Sequence, residues 1–152
     1  MRPPKRILVE GFPGIGKSTL CQRLAFRWAT ERCTIGCPVP RIHSYDIVIY
    51  LFANDLKGYT TIEKAVLSHL FPKDSNFTEQ ELKSLMDSCR ILFIIDSFDE
   101  GYSDNKLLGD LIDGRVKKNA TVIVTSRPKY LRKKIKCFES ILCIEGFNQQ
   151  QK

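Results

Sequence analysis

The sequence predicts an α/β fold in three layers, a mostly parallel five-stranded sheet flanked by helices. Three observations carry that prediction. Short apolar runs alternate with helical patterns from end to end, the βαβα signature of an open parallel sheet. The runs are unbroken and rich in Ile and Val, as strands buried on both faces are. The first run leads straight into a glycine-rich loop and then a helical pattern, the strand–turn–helix unit from which such sheets are built.

Five strands are expected, at 6–10, 46–52 ("DIVIYLF"), 91–95 ("ILFII"), 121–125 ("TVIVT") and 140–144 ("SILCI"). Cys21, Leu24, Ala25 and Trp28 recur at i, i+3, i+4 and i+7, marking the buried face of the helix after the glycine loop. The segment 61–71 places Ile62, Val66 and Leu70 on one face. A third helix opens at "FTEQEL", where Thr78 and Glu81 form a capping box and Phe77 and Leu82 its hydrophobic staple. A fourth covers 104–113, and the aperiodic stretch 32–45, with two prolines and a glycine, is a loop.

A chain of 152 residues with 43% hydrophobic and 27% charged residues fits one ordinary globular domain. No window holds eighteen uninterrupted apolar residues, so no membrane-spanning helix is expected. Strand-like sequence from Lys5 or Arg6 leaves no room for a secretory signal, and a cytoplasmic location is the expectation. The six cysteines, at 21, 33, 37, 89, 137 and 143, show no paired spacing; they read as reduced, mostly buried thiols. Cys33, Cys37 and His43 lack a fourth partner and make a thin metal site. The net charge of +7 includes a basic run at Arg127, Lys129, Arg132, Lys133, Lys134 and Lys136. No helix-turn-helix, zinc or RNP-like motif accompanies it, so it reads as a solvated or phosphate-assisting face rather than a nucleic-acid interface.

The chemistry is concentrated in "VEGFPGIGKSTL", residues 9–20. Gly11, four residues, Gly16, Lys17 and Ser18 fit the phosphate-binding loop, in which main-chain N–H groups and a helix N-terminus converge on an anion. Pro13, Gly14, Ile15 and Thr19 complete the cradle; Lys17 is placed to reach the β- and γ-phosphates and Ser18 to ligate Mg2+. The strand "ILFIID" then sets Asp96 at the carboxyl edge of the sheet, where open α/β folds bind ligands. Asp96 is expected to hold magnesium directly or through water, and either Asp99 or Glu100 to orient or deprotonate an attacking water. "TVIVTSRP" brings Thr125, Ser126 and Arg127 to the same edge, where a guanidinium can sense or stabilise a γ-phosphate.

Together these motifs resemble the NACHT nucleotide-binding domains of NOD-like receptors, in the STAND branch of AAA-like P-loop NTPases. The resemblance runs through "GFPGIGKSTL", "FRWA", "YDIVIYLF", "LFIIDSFDE", "VTSRP" and "CIEGF". It implies Lys17, Ser18 and Thr19 as Walker A, Asp96 as Walker B, Asp99 and Glu100 as the extended acids, and Arg127 as sensor 1. Ser97 stands where the family commonly has glycine, a small-for-small change expected to be tolerated. The resemblance implies a fragment of a longer receptor-like protein, with the helical and winged-helix domains beyond residue 152. It further implies an ATP/ADP-binding switch with slow hydrolysis in innate-immune signalling, self-association through the full-length protein, and a monomeric fragment that binds nucleotide weakly and turns over little. Three alternatives stand beside it. A small P-loop kinase would use Arg132, Lys133 and Lys134 as a lid-like cluster; a GTP switch lacks its Asn-Lys-x-Asp motif here; a scaffold would keep the nucleotide without hydrolysing it.

Overall fold

The computed structural model describes residues 4–30, 42–98 and 105–146. Its five strands are β1 (Arg6–Glu10), β2 (Ile47–Phe52), β3 (Ile91–Asp96), β4 (Thr121–Ser126) and β5 (Ser140–Cys143), and its helices are α1 (Lys17–Thr30), α2 (Ile62–Leu70), α3 (Glu79–Ser88) and α4 (Lys106–Ile112). All pairings are parallel, in the order β2-β3-β4-β1-β5. The expected strands are present to within a residue or two at their ends.

The sheet buries a core on each face. On one face Leu8, Ile49, Leu51, Phe93, Ile95, Val122 and Val124 pack with residues of α2, α3 and α4. On the other, α1 lays Cys21, Leu24 and Ala25 against Val48, Tyr50, Leu92, Ile94 and Ile123. β3 lies between two strands and between both helical layers, and all six of its residues are buried. That is why its sequence runs apolar without alternation. Trp28 turns its indole to donate to the Tyr45 carbonyl at 3.0 Å, which ties the end of α1 to the approach of β2.

Local chemistry fixes the helix starts. Thr61 accepts from the Lys64 amide at 3.3 Å to cap α2. At α3, Thr78 Oγ1 accepts from the Glu81 amide at 3.2 Å while Glu81 accepts from the Thr78 amide at 2.8 Å, the reciprocal box expected there. Asn105 caps α4 by accepting from the Leu108 amide and, from the other end of its amide, donates to the Ala53 carbonyl at 2.8 Å.

Three expectations are corrected. β5 is an edge strand with Ile141 42% and Leu142 53% exposed; an apolar run does not reveal whether a neighbour covers it. Leu70, placed with Ile62 and Val66, is exposed because α2 ends there and Phe71 packs against the core instead; Phe71 also stacks on Phe77 with centroids 5.5 Å apart. Of the described cysteines only Cys21 is buried, and all are free. Cys33 and Cys37 lie outside the described residues, and the metal reading there goes with them; the described end of that stretch is a short 3-10 turn at Ile42–Ser44.

Two basic residues hold the end of the sheet where the strands begin. Arg6 is 5% exposed, and its guanidinium donates to the carbonyls of Ala120 at 2.8 Å, Leu111 at 3.1 Å, Lys5 at 3.3 Å and Lys117 at 3.4 Å. Burial lowers its pKa from the usual arginine value, with nearby Glu139 opposing. Lys117 pairs with Glu63 at 2.6 Å and Asp87 at 3.1 Å, joining α2 to α3. Replacing Arg6 by alanine strips partners from several carbonyls at once. We expect Arg6→Ala to lose about 3 kcal/mol of stability, read as a lowered midpoint in urea unfolding at unchanged m-value.

Candidate functional site

The site is built where the strands end. β1 stops at Glu10 and the Gly11 amide donates to the Ser126 carbonyl at 3.2 Å, so the loop starts level with the end of β4. A β-carbon on Gly11 would lie 2.7 Å from Ile15 Cγ2, which closes this position to other residues without a shift of Ile15. Gly16 has φ +106°, a conformation that side chains rarely adopt, and it turns the chain into α1. Its carbonyl accepts from the Leu20 amide at 2.9 Å, so helical bonding begins immediately after the loop. Amides of the first helical turn have no partner within the helix and carry its positive dipole end.

Lys17 folds across this loop. Its ammonium donates to the carbonyls of Gly11 at 2.7 Å and Phe12 at 3.1 Å, which holds the charge at the loop mouth. A cleft of about 310 Å³ brings Pro13, Gly14, Gly16, Lys17, Ser18 and Thr19 together with Ser97 and Arg127. Ile15 is not among its walls; its side chain packs back toward Gly11 and lies 3.2 Å from where a Gly146 β-carbon would be. A larger cavity, about 450 Å³, lies at the opposite edge of the sheet around Lys117 and gathers none of these groups.

Asp96 closes β3 with its side chain fully buried. Thr125 Oγ1 donates to its Oδ1 at 2.5 Å, and the Tyr50 hydroxyl donates to its Oδ2 at 3.2 Å. The Ser97 amide in turn donates to Thr125 Oγ1 at 3.0 Å. Burial first, then the Asp96 charge, pushes Tyr50 up to about 12; the same two causes push Cys21 up to about 12. Both therefore stay protonated at neutral pH, and Tyr50 remains a donor. Serine hydroxyl and carboxylate are oxygen donors that suit a magnesium ion; Ser18 lines the cleft, whereas Asp96 is fully buried and not among its walls.

Arg127 lines the cleft together with Ser97. Asp99 and Glu100 lie outside the described residues. Tyr50 was not singled out from the sequence; its signal was a polar tip inside the otherwise apolar run "IVIYLF". Nor was the strain at Ser97, whose φ of +61° is left-handed.

Residues 5–152 match the NACHT domain. The chain belongs to the NACHT domain family. This NACHT domain is 25% identical to human baculoviral IAP repeat-containing protein 1 over 91% of its own length and 10% of the relative's. It is 27% identical to NLR family CARD domain-containing protein 4 of Xenopus tropicalis, over 86% of itself and 12% of that protein. With human NACHT, LRR and PYD domains-containing protein 2 it shares 27% identity over 96% of itself and 15% of the relative. The chain thus spans 10–15% of the length of these relatives. In fold it is similar to C. elegans PCH-2, with a TM-score of 0.50 and 18% identity over 93% of this chain and 36% of the other. A P-loop nucleotide-binding module is what family and fold support. No helix among the described residues is long and apolar enough to cross a membrane.

The left-handed Ser97 yields a direct check. Glycine adopts that conformation without the clash of a β-carbon, which costs about 1 kcal/mol, and it keeps the amide that bonds Thr125. Ser97→Gly is expected to raise stability by up to about 1 kcal/mol, read as an increased thermal midpoint. A lowered midpoint would mean that the serine hydroxyl holds contacts worth more than the strain.

Proposed function

We propose that this NACHT domain binds ADP and ATP with magnesium as the nucleotide-reading core of a regulatory switch that hydrolyses ATP slowly. The observation that carries the reading is the single cleft joining Lys17, Ser18 and Thr19 to Ser97 and Arg127, with Asp96 at the end of the neighbouring strand. Lys17 exchanges its bonds to the Gly11 and Phe12 carbonyls for phosphate oxygens, and loop and first-turn amides take the remaining phosphate charge. Ser18 and Asp96 hold magnesium, which when bound neutralises charge on the β- and γ-oxygens. Arg127 meets the γ-phosphate, so its contacts differ between ATP and ADP and bias the surrounding structure. Asp99 or Glu100 orients the attacking water.

Ser18 and Thr19 are exposed at the rim, so bound phosphates share their charge with solvent. Weak binding and little turnover are therefore expected of this chain by itself. The reading extends to the whole protein as a cytoplasmic, self-associating signalling receptor of innate immunity, supported by the NLR-family relatives.

Calorimetric titration with magnesium-ADP, magnesium-ATP and magnesium-GTP, alongside Lys17→Ala, tests the core of this reading. Adenine nucleotides are expected to bind in preference to GTP. Lys17→Ala should weaken them roughly 10- to 100-fold, the range for losing charge-assisted hydrogen bonds. Equal binding of GTP would overturn the adenine assignment, and phosphate transfer to a small acceptor without phosphate release would favour a kinase.

A further inference from the structure

The two groups proposed to hold magnesium stand on different elements, Ser18 in the first turn of α1 and Asp96 at the end of β3. Their relative placement depends on what joins that helix to that strand. Tyr50, from β2, lies between them. Its hydroxyl donates to Asp96 Oδ2 at 3.2 Å, and its ring packs with the cluster of Cys21, Leu92 and Ile94. Cys21 follows Ser18 by three residues on α1 and so lies on the same helix face, one turn further on.

A phenol hydroxyl has one proton to donate, and Asp96 takes it. The other carboxylate oxygen is held by Thr125 from β4. Asp96 is therefore gripped from both neighbouring strands, and on the Tyr50 side the gripping residue also packs with Cys21 of α1. A phenylalanine would fill the same space against Cys21, Leu92 and Ile94 and pack as well, so packing does not account for a hydroxyl here.

We propose that Tyr50 is a positioning residue that holds the Asp96 carboxylate in register with Ser18, and so governs how tightly the site takes magnesium rather than how tightly it takes the nucleotide phosphates. The proposal rests on the nucleotide reading above. It makes β2, which supplies no residue to the phosphate cleft, a determinant of the metal site.

The test separates metal from phosphate. ADP affinity of the purified chain is measured by calorimetry in EDTA and again across a series of free magnesium concentrations, for wild type, Tyr50→Phe and Tyr50→Leu, each checked for fold by circular dichroism. Tyr50→Phe should leave the EDTA affinity within about twofold of wild type and cut the gain from magnesium about tenfold, the lower end for one lost hydrogen bond to a charged group. Tyr50→Leu, which lacks the same hydroxyl, should cut it by a similar factor. A Tyr50→Phe protein with wild-type magnesium gain overturns the proposal while leaving the nucleotide reading intact. So does an equal loss with and without magnesium, the mark of a merely structural role. If Tyr50→Phe does not fold, the Tyr50→Leu gain decides, and an unchanged value overturns the proposal. Binding of ADP by wild type with no gain from magnesium overturns the metal assignment and Tyr50's role together, and no binding at all overturns the nucleotide reading first.

Discussion

A carboxylate buried at the end of the central strand is the constraint on which this structure turns. Removing Asp96 from water is costly unless its oxygens are bonded, and the molecule meets that demand with hydroxyls from the strands on either side, Thr125 and Tyr50. Those hydroxyls reach Asp96 only if β2, β3 and β4 are adjacent and in their observed register, with Phe52 opposite Asp96 and Ile95 opposite Val124. The polar site and the apolar sheet therefore specify each other. A one-residue slip would turn the phenol or the threonine to the wrong face.

The rest of the sheet serves to bring dissimilar chemistry to one edge. β1 delivers the phosphate loop, β3 the acid and β4 the segment with Arg127, while the helices are consigned to the faces. At the opposite edge, Arg6 and Lys117 use their charge for a different purpose. They satisfy carbonyls and join helices, and the larger cavity beside them collects no comparable set of catalytic groups.

Much of this was legible in the sequence because it depends on local pattern. Unbroken Ile and Val runs located all five strands, the spacing Thr78 to Glu81 located a helix start, and Gly11 to Ser18 located the phosphate loop, since each is written in contiguous residues. What escaped is set by neighbours distant in the chain. Tyr50 and Asp96 are 46 residues apart, and nothing within "IVIYLF" says which strand will lie beside it. The exposure of Ile141 and Leu142 depends in the same way on what stands next to β5. The left-handed Ser97 is a different case: its side chain is small enough to look harmless by composition, and only the backbone turn after β3 reveals the strain.

The packing of Ile15 carries a consequence for motion. This residue belongs to the phosphate loop but turns away from the cleft, toward Gly11, Ile144 and Gly146 on the stretch that leaves β5. The loop and the departing chain thus lie side by side. A β-carbon on Gly146 would stand 3.2 Å from Ile15, so any side chain at 146 would press on the phosphate loop, and glycine there leaves the loop its room.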